Sequence, residues 1–547
     1  MSYKCSNCGS SLNYIPGTDS LGCAYCGSRF PVRNFAVNAG ADESKDEYGV
    51  VSFICKSCGA QMLSTDEQIV SYCSYCGGEA VLQSKMGTET RPRFIIPFHI
   101  TKESCRKIYK KGVSKIPYLP GALKKDEYLE RFRGIYIPYW NYDIVFNTNT
   151  AIEAKDYRRD GNERIESTYR IDMNVAGTYT GVPYDASSFF DDTISEAIMP
   201  FDKREIVDFD PGYLAGFYAD RADVGSEAYE AAAKVSAANE AYLEVGKKLK
   251  KSGYKTVVPE EDDMVSSLRP EVKERFPVLF PVWFLTWKNR DRVAYSIVNG
   301  QTGKMSADMP VDGRKFALGT AITAVLMFVL LTVLLSATAR TALGVCDIIM
   351  MCAMALFGSE SARIANKENH VFDPGWSVKG NKVEMPDAIR AARSRGRKDK
   401  VTKNVDFTYL AKVMATFAWV ALPFAISLYG AIPAFYGYML PSMKLKIASG
   451  VTLVVVVFLF TKCMASLRYV TEKSMMLPAL LALAGAVMAF GVSVWDPVAD
   501  IYYYAAALTM AAISAVTAFS LIKYYDLLST RPVPSFFTRE GGNDRAK

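Results

Sequence analysis

Eight of the chain's twelve cysteines lie within its first 76 residues, and they are arranged in pairs. The pairs are Cys5/Cys8, Cys23/Cys26, Cys55/Cys58 and Cys73/Cys76, each C-x-x-C followed by a glycine (Gly9, Gly27, Gly59, Gly77). Fourteen residues separate the two pairs of each set, and the second set repeats the first after 50 residues. This is the spacing of a duplicated four-cysteine zinc ribbon. C-x-x-C lets one tight turn present two thiolates to one cation. The glycine permits a positive φ, which turns nearby N–H groups toward sulfur. Four thiolates fill a tetrahedron and leave no open position, so such sites are structural and not catalytic. A segment of about 30 residues buries too little to fold alone, and metal binding in zinc-finger peptides supplies about 10–16 kcal/mol. Disulfides are the competing use of these cysteines. No signal-peptide pattern precedes them, which favours a reducing compartment and free thiolates. Cys105, Cys346, Cys352 and Cys463 are scattered and are expected to be small buried apolar residues.

Hydropathy divides the chain. Half of its 547 residues are hydrophobic, 22% are charged, and mean hydropathy is +0.04. That average describes neither a soluble nor a membrane protein and points to a mixture of the two. Residues 316–337 carry no charge and are long enough, as a helix, to cross about 30 Å of hydrocarbon. Further apolar runs at 342–358, 409–430, 447–461, 477–495 and 501–522 make about six expected spans, the second carrying Asp347. Eleven Lys and Arg residues, with a cluster from Arg390 to Lys403, follow the second run, and the loop at Asp496–Asp500 has none. By the positive-inside rule both termini are cytosolic. The loop between the first two runs has only Arg340, while Lys444 and Lys446 run against that rule. Asp347, Lys412 and Lys462 sit in or beside spans, close enough to their ends to snorkel.

Between the cysteines and the spans, residues 91–315 have a soluble composition. Strands are expected at Ile95–His99, Gly134–Phe146, Pro277–Trp287 and Val293–Val298. A hairpin is expected about Asp160-Gly161, between Ala151–Arg158 and Ile165–Val175, and one helix over Ser226–Ser252, with Gly253 past its end. The resulting fold is α+β with an antiparallel, curved sheet. The stretch Gly300–Lys304 (GQTGK) has two residues between its glycines and Met305 after the lysine, so it is a turn and not a Walker A loop. His99 and His370 are the only histidines, which disfavours His-centred triads and HExxH chemistry. No dinucleotide, kinase or nucleophile-elbow motif is present. The acidic runs Asp191-Asp192 and Glu260–Asp263 fit solvated loops.

With the four knuckles, Ile96-Pro97-Phe98, the run Arg133–Trp140 (RGIYIPYW), Phe280–Trp283 (FPVW) and Asn299–Lys304 (NGQTGK), the chain resembles bacterial membrane-anchored tandem zinc-ribbon proteins. These are often labelled "TFIIB-type zinc ribbon-containing" or primosomal-helicase-like. The resemblance covers about residues 1–315. It implies two structural Zn2+ ions held by Cys5, Cys8, Cys23 and Cys26 and by Cys55, Cys58, Cys73 and Cys76. It also implies association with SPFH (flotillin-like) or PspA-like envelope-stress proteins. The helicase label has no Walker motif behind it.

The chain is thus expected to be multidomain: ribbons at 1–36 and 50–85, a cytosolic α+β domain at 91–315, a polytopic helical membrane domain at 316–525 and a cytosolic tail at 526–547. The expected function is a non-enzymatic scaffold or adaptor at the bacterial inner membrane. Two alternatives compete. One is a membrane-associated nucleic-acid-binding protein using Lys4, Arg29, Phe30 and Arg33, although the mixed-charge linker Asp42–Glu47 and the membrane-proximal basic cluster favour anionic lipid instead. The other is a six-span transporter or channel with a regulatory ribbon domain.

Overall fold

A computed structural model describes residues 3–33, 47–65, 72–78, 83–322, 338–368 and 441–532, apart from gaps of one or two residues. The first ribbon is a three-stranded antiparallel sheet of β1 (Leu12–Tyr14), β2 (Ser20–Cys23) and β3 (Arg29–Pro31). The strands of the second ribbon, β4 (Glu47–Ile54), β5 (Gln61–Ser64) and β6 (Gln83–Thr90), do not form a separate sheet. They join a 13-stranded sheet with β7 (Phe94–Ile95), β8 (Arg133–Asp160), β9 (Glu163–Asp185), β10 (Val207–Asp208), β11 (Tyr218–Asp220), β12 (Lys255–Thr256), β13 (Glu271–Asn289), β14 (Arg292–Asn299), β15 (Met305–Ala307) and β16 (Arg531–Pro532). The junction is β5 on β11, with Leu63 opposite Ala219. The unit expected at 50–85 therefore runs past both limits and merges with the α+β body.

The sheet is mainly antiparallel, but β11 on β8 and β13 on β7 are parallel, a departure from the all-antiparallel expectation. The strands expected at Gly134–Phe146 and Ala151–Arg158 are one 28-residue strand, β8, paired with β9 from Tyr139 to Asp160. Nothing between them breaks the ladder: Asn147–Thr150 stay extended opposite Asn174, Met173 and their neighbours. Near the hairpin's free end burial alternates along β8. Ile144, Phe146, Ile152 and Ala154 face helix Glu230–Lys251, whose Ala233, Ala237, Ala238, Ala241 and Tyr242 are buried against them. That helix starts four residues later than expected and stops before Gly253, at φ +91°.

The family-like motifs meet at Phe98. Its ring stacks on Phe217 at 4.4 Å and meets Tyr136 at 4.9 Å and Trp283 at 5.3 Å. A Cβ on Gly300 would lie 2.5 Å from that ring, and one on Gly134 would lie 2.3 Å from Phe217. These glycines allow backbone to approach aromatic core, so the motifs specify packing. GQTGK is a turn, as expected: Gly303 has φ +76°, its N–H donates to Asn299 C=O, and Asn299 Oδ1 accepts from the Gln301 and Thr302 N–H groups.

Four helices among the described residues are long and apolar enough to cross a membrane: Ala339–Ala365, Leu445–Leu467, Lys473–Trp495 and Asp500–Leu527. They correspond to the second, fourth, fifth and sixth expected spans and are longer than expected. The first and third, 316–337 and 409–430, fall outside the described residues, except for the start of the first. We denote the full helices α1 (Ala339–Glu368), α2 (Pro441–Leu467), α3 (Met476–Trp495) and α4 (Asp500–Leu528). On α3 the residues Ala479, Ala482, Gly485, Ala486 and Ala489 face inward and let neighbours close in; a Cβ on Gly485 would lie 2.9 Å from Met350 and Ile513.

Helix directions follow from the contacts at each end. At one end Asp496, just past α3, pairs with Arg340 of α1 at 3.0 Å and Lys446 of α2 at 3.9 Å and accepts from Tyr503 of α4 at 2.6 Å. At the other, Ser361 of α1 meets Cys463 of α2, and Phe357 meets Tyr524 of α4. So α1, α2 and α4 run one way and α3 the other. Lys446, which ran against the charge rule, and Arg340 are the partners of Asp496. The second end adjoins the soluble sheet. There Arg292 donates to the carbonyls of Leu527 and Thr530 at 2.8 and 2.7 Å, Val311 N–H donates to Asp526, Arg531 pairs with Asp308, and β16 pairs with β14. Residues 526–532 are thus built into helix and sheet and are not a free tail.

Candidate metal centres

All four knuckles have one geometry. The residue after each second cysteine donates its N–H to the carbonyl of the first: Gly9 to Cys5, Gly27 to Cys23, Gly59 to Cys55 and Gly77 to Cys73, at 2.8–3.0 Å. The glycines have φ of +75°, +73°, +75° and +64°, the backbone that the sequence pattern required. Each hairpin of knuckles brings two cysteine pairs together. In both groups one sulfur from each residue lies within 4.8 Å of the others, so each group could hold a metal ion.

In the first group Cys5 Sγ lies 3.5 Å from Cys26 Sγ, and Cys8 Sγ lies 3.4 Å from Cys23 Sγ. In the second, the Cys55–Cys76 and Cys58–Cys73 separations are both 3.7 Å. Sulfurs about 2.3 Å from a tetrahedral cation are about 3.8 Å apart, so the second group matches such a cation and the first is slightly tighter. All twelve described cysteines are free thiols, not disulfides.

Surroundings distinguish the centres. In the first, Cys5 and Cys23 are buried while Cys8 and Cys26 are exposed, as is Tyr25 between Cys23 and Cys26, at 83%. Its buried side rests on the soluble core: Tyr14 N–H donates to Ala215 C=O at 2.9 Å, Gly17 N–H to Phe98 C=O at 2.8 Å, and Tyr213 hydroxyl to Asp19. In the second, all four cysteines have no exposed surface. Thr286 hydroxyl donates to Ser74 C=O, and Tyr295 hydroxyl to Tyr75 C=O at 2.8 Å. Tyr75 hydroxyl donates to Asp220 Oδ2 at 2.7 Å, and Ser187 hydroxyl donates to the same oxygen. Burial pushes the Asp220 carboxyl up to about 6, against the pull of those donors.

The remaining expected residues scatter. Cys105, Cys352 and Cys463 are buried among apolar side chains, and Cys346 is half-buried. His99 lies 3.5 Å from Glu205, and neither joins a cysteine group. Of the nucleic-acid candidates, Phe30 packs on the soluble core and Arg33 bonds to Tyr213, leaving Lys4 and Arg29 exposed. Asp192 and Glu261–Asp263 are not loop residues: they lie at the starts of helices Asp192–Ile198 and Glu261–Leu268. Lys462 is at an exposed position with its ammonium 5.8 Å from the Phe458 ring, consistent with snorkelling. Asp347 does not snorkel: it is 3% exposed and turned into the bundle beside Thr452. His370, Arg390–Lys403, Lys412, Asp191 and Glu260 lie outside the described residues.

The sequence reading missed Asp220 and Asp496. Both are single acids without local pattern, and their partners are remote in sequence.

No family model and no solved structure matches the chain. It is 28% identical over 334 residues to the uncharacterized protein YdjG of Bacillus subtilis (strain 168), an alignment that spans 58% of this chain and 92% of YdjG.

Proposed function

We propose that the protein is a non-enzymatic, zinc-containing scaffold of the bacterial inner membrane, with both termini cytosolic, that recruits SPFH/flotillin-like or PspA-like partners. The observation that carries this reading is the fastening of the soluble body to the membrane helices. Both four-cysteine units are packed on one sheet, and that sheet is joined to α4 through β16, Arg292 and the Arg531–Asp308 pair. A surface presented by the first ribbon is held at a set position beside the bilayer. The ions are Zn2+, since four thiolates favour it and leave no position for substrate.

Helix direction supports the count of six spans. The six-span reading accounts for two observations: α1 and α2 start at the same end of the bundle, and the soluble body adjoins the opposite end. Two of the cations at the opposite end, Arg340 and Lys446, are paired with Asp496, which lowers the unpaired positive charge there as the positive-inside reading needs.

Purified full-length protein should contain two zinc ions per chain by elemental analysis. Affinity capture of the intact protein from its native membranes under envelope stress should recover an SPFH- or PspA-like protein. Recovery of neither, with zinc present, would overturn the scaffold reading. The runner-up, a transporter or channel with a ribbon regulatory domain, is favoured by the burial of Asp347.

A further inference from the structure

We propose that Asp347 is a proton-binding site inside the membrane bundle, loaded from the end marked by Asp496. The inference goes beyond the scaffold reading and stands or falls separately from it.

Asp347 lies seven residues into α1 from Arg340, about 10 Å along the axis, and well over twice as far from the end that adjoins the soluble body. Its carboxyl is buried, and Oδ1 has no hydrogen-bond partner among the described residues. An ionised carboxylate there would need a cation or several donors. Among the described residues there is neither a cation free to pair with it nor a set of donors. On its own helix the near groups are Cys346, a neutral thiol, and Arg340, which is held by Asp496 at 3.0 Å. From α2 the near cation is Lys446, also on Asp496. Helix α3 contributes no charged side chain within its span, and α4 contributes Tyr503, whose hydroxyl donates to Asp496. Within reach of Asp347 is the Thr452 hydroxyl. That hydroxyl also lies 3.0 Å from Ala448 C=O, so its one hydrogen is divided between the carbonyl and Asp347. A single divided donor does not offset the cost of burying an ionised carboxylate, whereas a neutral acid leaves no buried charge.

A second observation indicates a route. Buried hydroxyls continue from Thr452 toward Asp496. Ser449, one turn away on α2, lies 2.7 Å from Ser493 of α3, and Ser493 is three residues from Asp496. Thr452, Ser449 and Ser493 are each at most 1% exposed. These buried hydroxyls lie between the acid and the ion-paired end. Toward the other end the buried hydroxyls of the described helices are Ser361 of α1, which bonds to Gly358 C=O and Cys463, and Thr517 of α4, which donates to Ile513 C=O.

The test is infrared difference spectroscopy on the full-length protein in lipid vesicles, with and without Asp347→Asn. A protonated-carboxyl C=O band should be present at neutral pH and absent from the variant. It should disappear reversibly as pH rises, the protonated fraction falling about tenfold per unit above its midpoint. A hydrophobic carbodiimide, which takes up the acid proton and is then attacked by the carboxylate to form an acylurea, should modify Asp347 with the same pH profile. Should Asp347→Asn fail to insert, Thr452→Val keeps the carboxyl and should shift its band by removing the hydroxyl contact. No Asp347 band at neutral pH, no shift in Thr452→Val, or a band that persists at every pH where the protein stays folded would each overturn the proposal. The last result would mean a sealed acid that exchanges no proton.

Discussion

The two ribbons have the same cysteine spacing and the same knuckle geometry, yet they occupy opposite environments. The second is a layer of the soluble core. Its four sulfurs are sealed, its strands continue the main sheet, and Tyr75 and Ser74 are tied to strands β11, β13 and β14. The first leans on that core with one side and exposes Cys8, Cys26 and Tyr25 on the other. Ligand spacing specifies the tetrahedron and nothing about what surrounds it. Duplicated metal modules can therefore diverge, one becoming part of a domain's interior and the other remaining available at its surface.

The largest effect that could break this contrast is ligand removal. Cys58→Ser or Cys73→Ser should abolish the cooperative thermal transition of the soluble body, because the lost site lies inside its core. Cys8→Ser should lower zinc from two ions to one and open the first ribbon to protease, with the main transition retained. Equal damage from both would show that the ribbons are energetically alike. Next, a colorimetric chelator should remove zinc in two phases. The first centre, which lacks an enclosing shell on one side, should hold metal about 10–100-fold more weakly. A single phase would refute the distinction.

Smaller effects sharpen it. Asp220→Ala strands the Tyr75 and Ser187 hydroxyls and should destabilise the soluble body by about 2–3 kcal/mol in denaturant titration. Because burial raises the Asp220 carboxyl to about 6, its stabilising contribution is complete below its ordinary value of 3.8 and is lost as pH rises through about 6. Asp220→Asn should flatten that part of the stability–pH curve. At the exposed ribbon, Tyr25→Ser should change stability by no more than about 0.5 kcal/mol.

The metal centres were legible in the sequence because their geometry is local. C-x-x-C-G sets two ligands and a positive-φ glycine within five residues, and all four knuckles adopt it. Long apolar runs were equally legible, since hydropathy over some twenty residues is a local property. The strand pair about Asp160 and the helix near 226–252 were found for the same reason, although the unbroken length of β8 was not. Its continuity depends on pairing with β9, which lies in another segment.

Sequence by itself determined the tetrahedral cysteine groups, the division into polar and apolar halves, and the turn at Gly300–Lys304. Tertiary structure alone decided that one ribbon is core and the other is surface, that Asp496 gathers Arg340, Lys446 and Tyr503, and that Asp347 turns inward instead of snorkelling. The physical reason is range. Ligand spacing, glycine backbone freedom and span length act over a few residues or one helix. Burial and ion pairing depend on which distant surfaces meet, as Tyr75 does with Asp220 across 145 positions of chain.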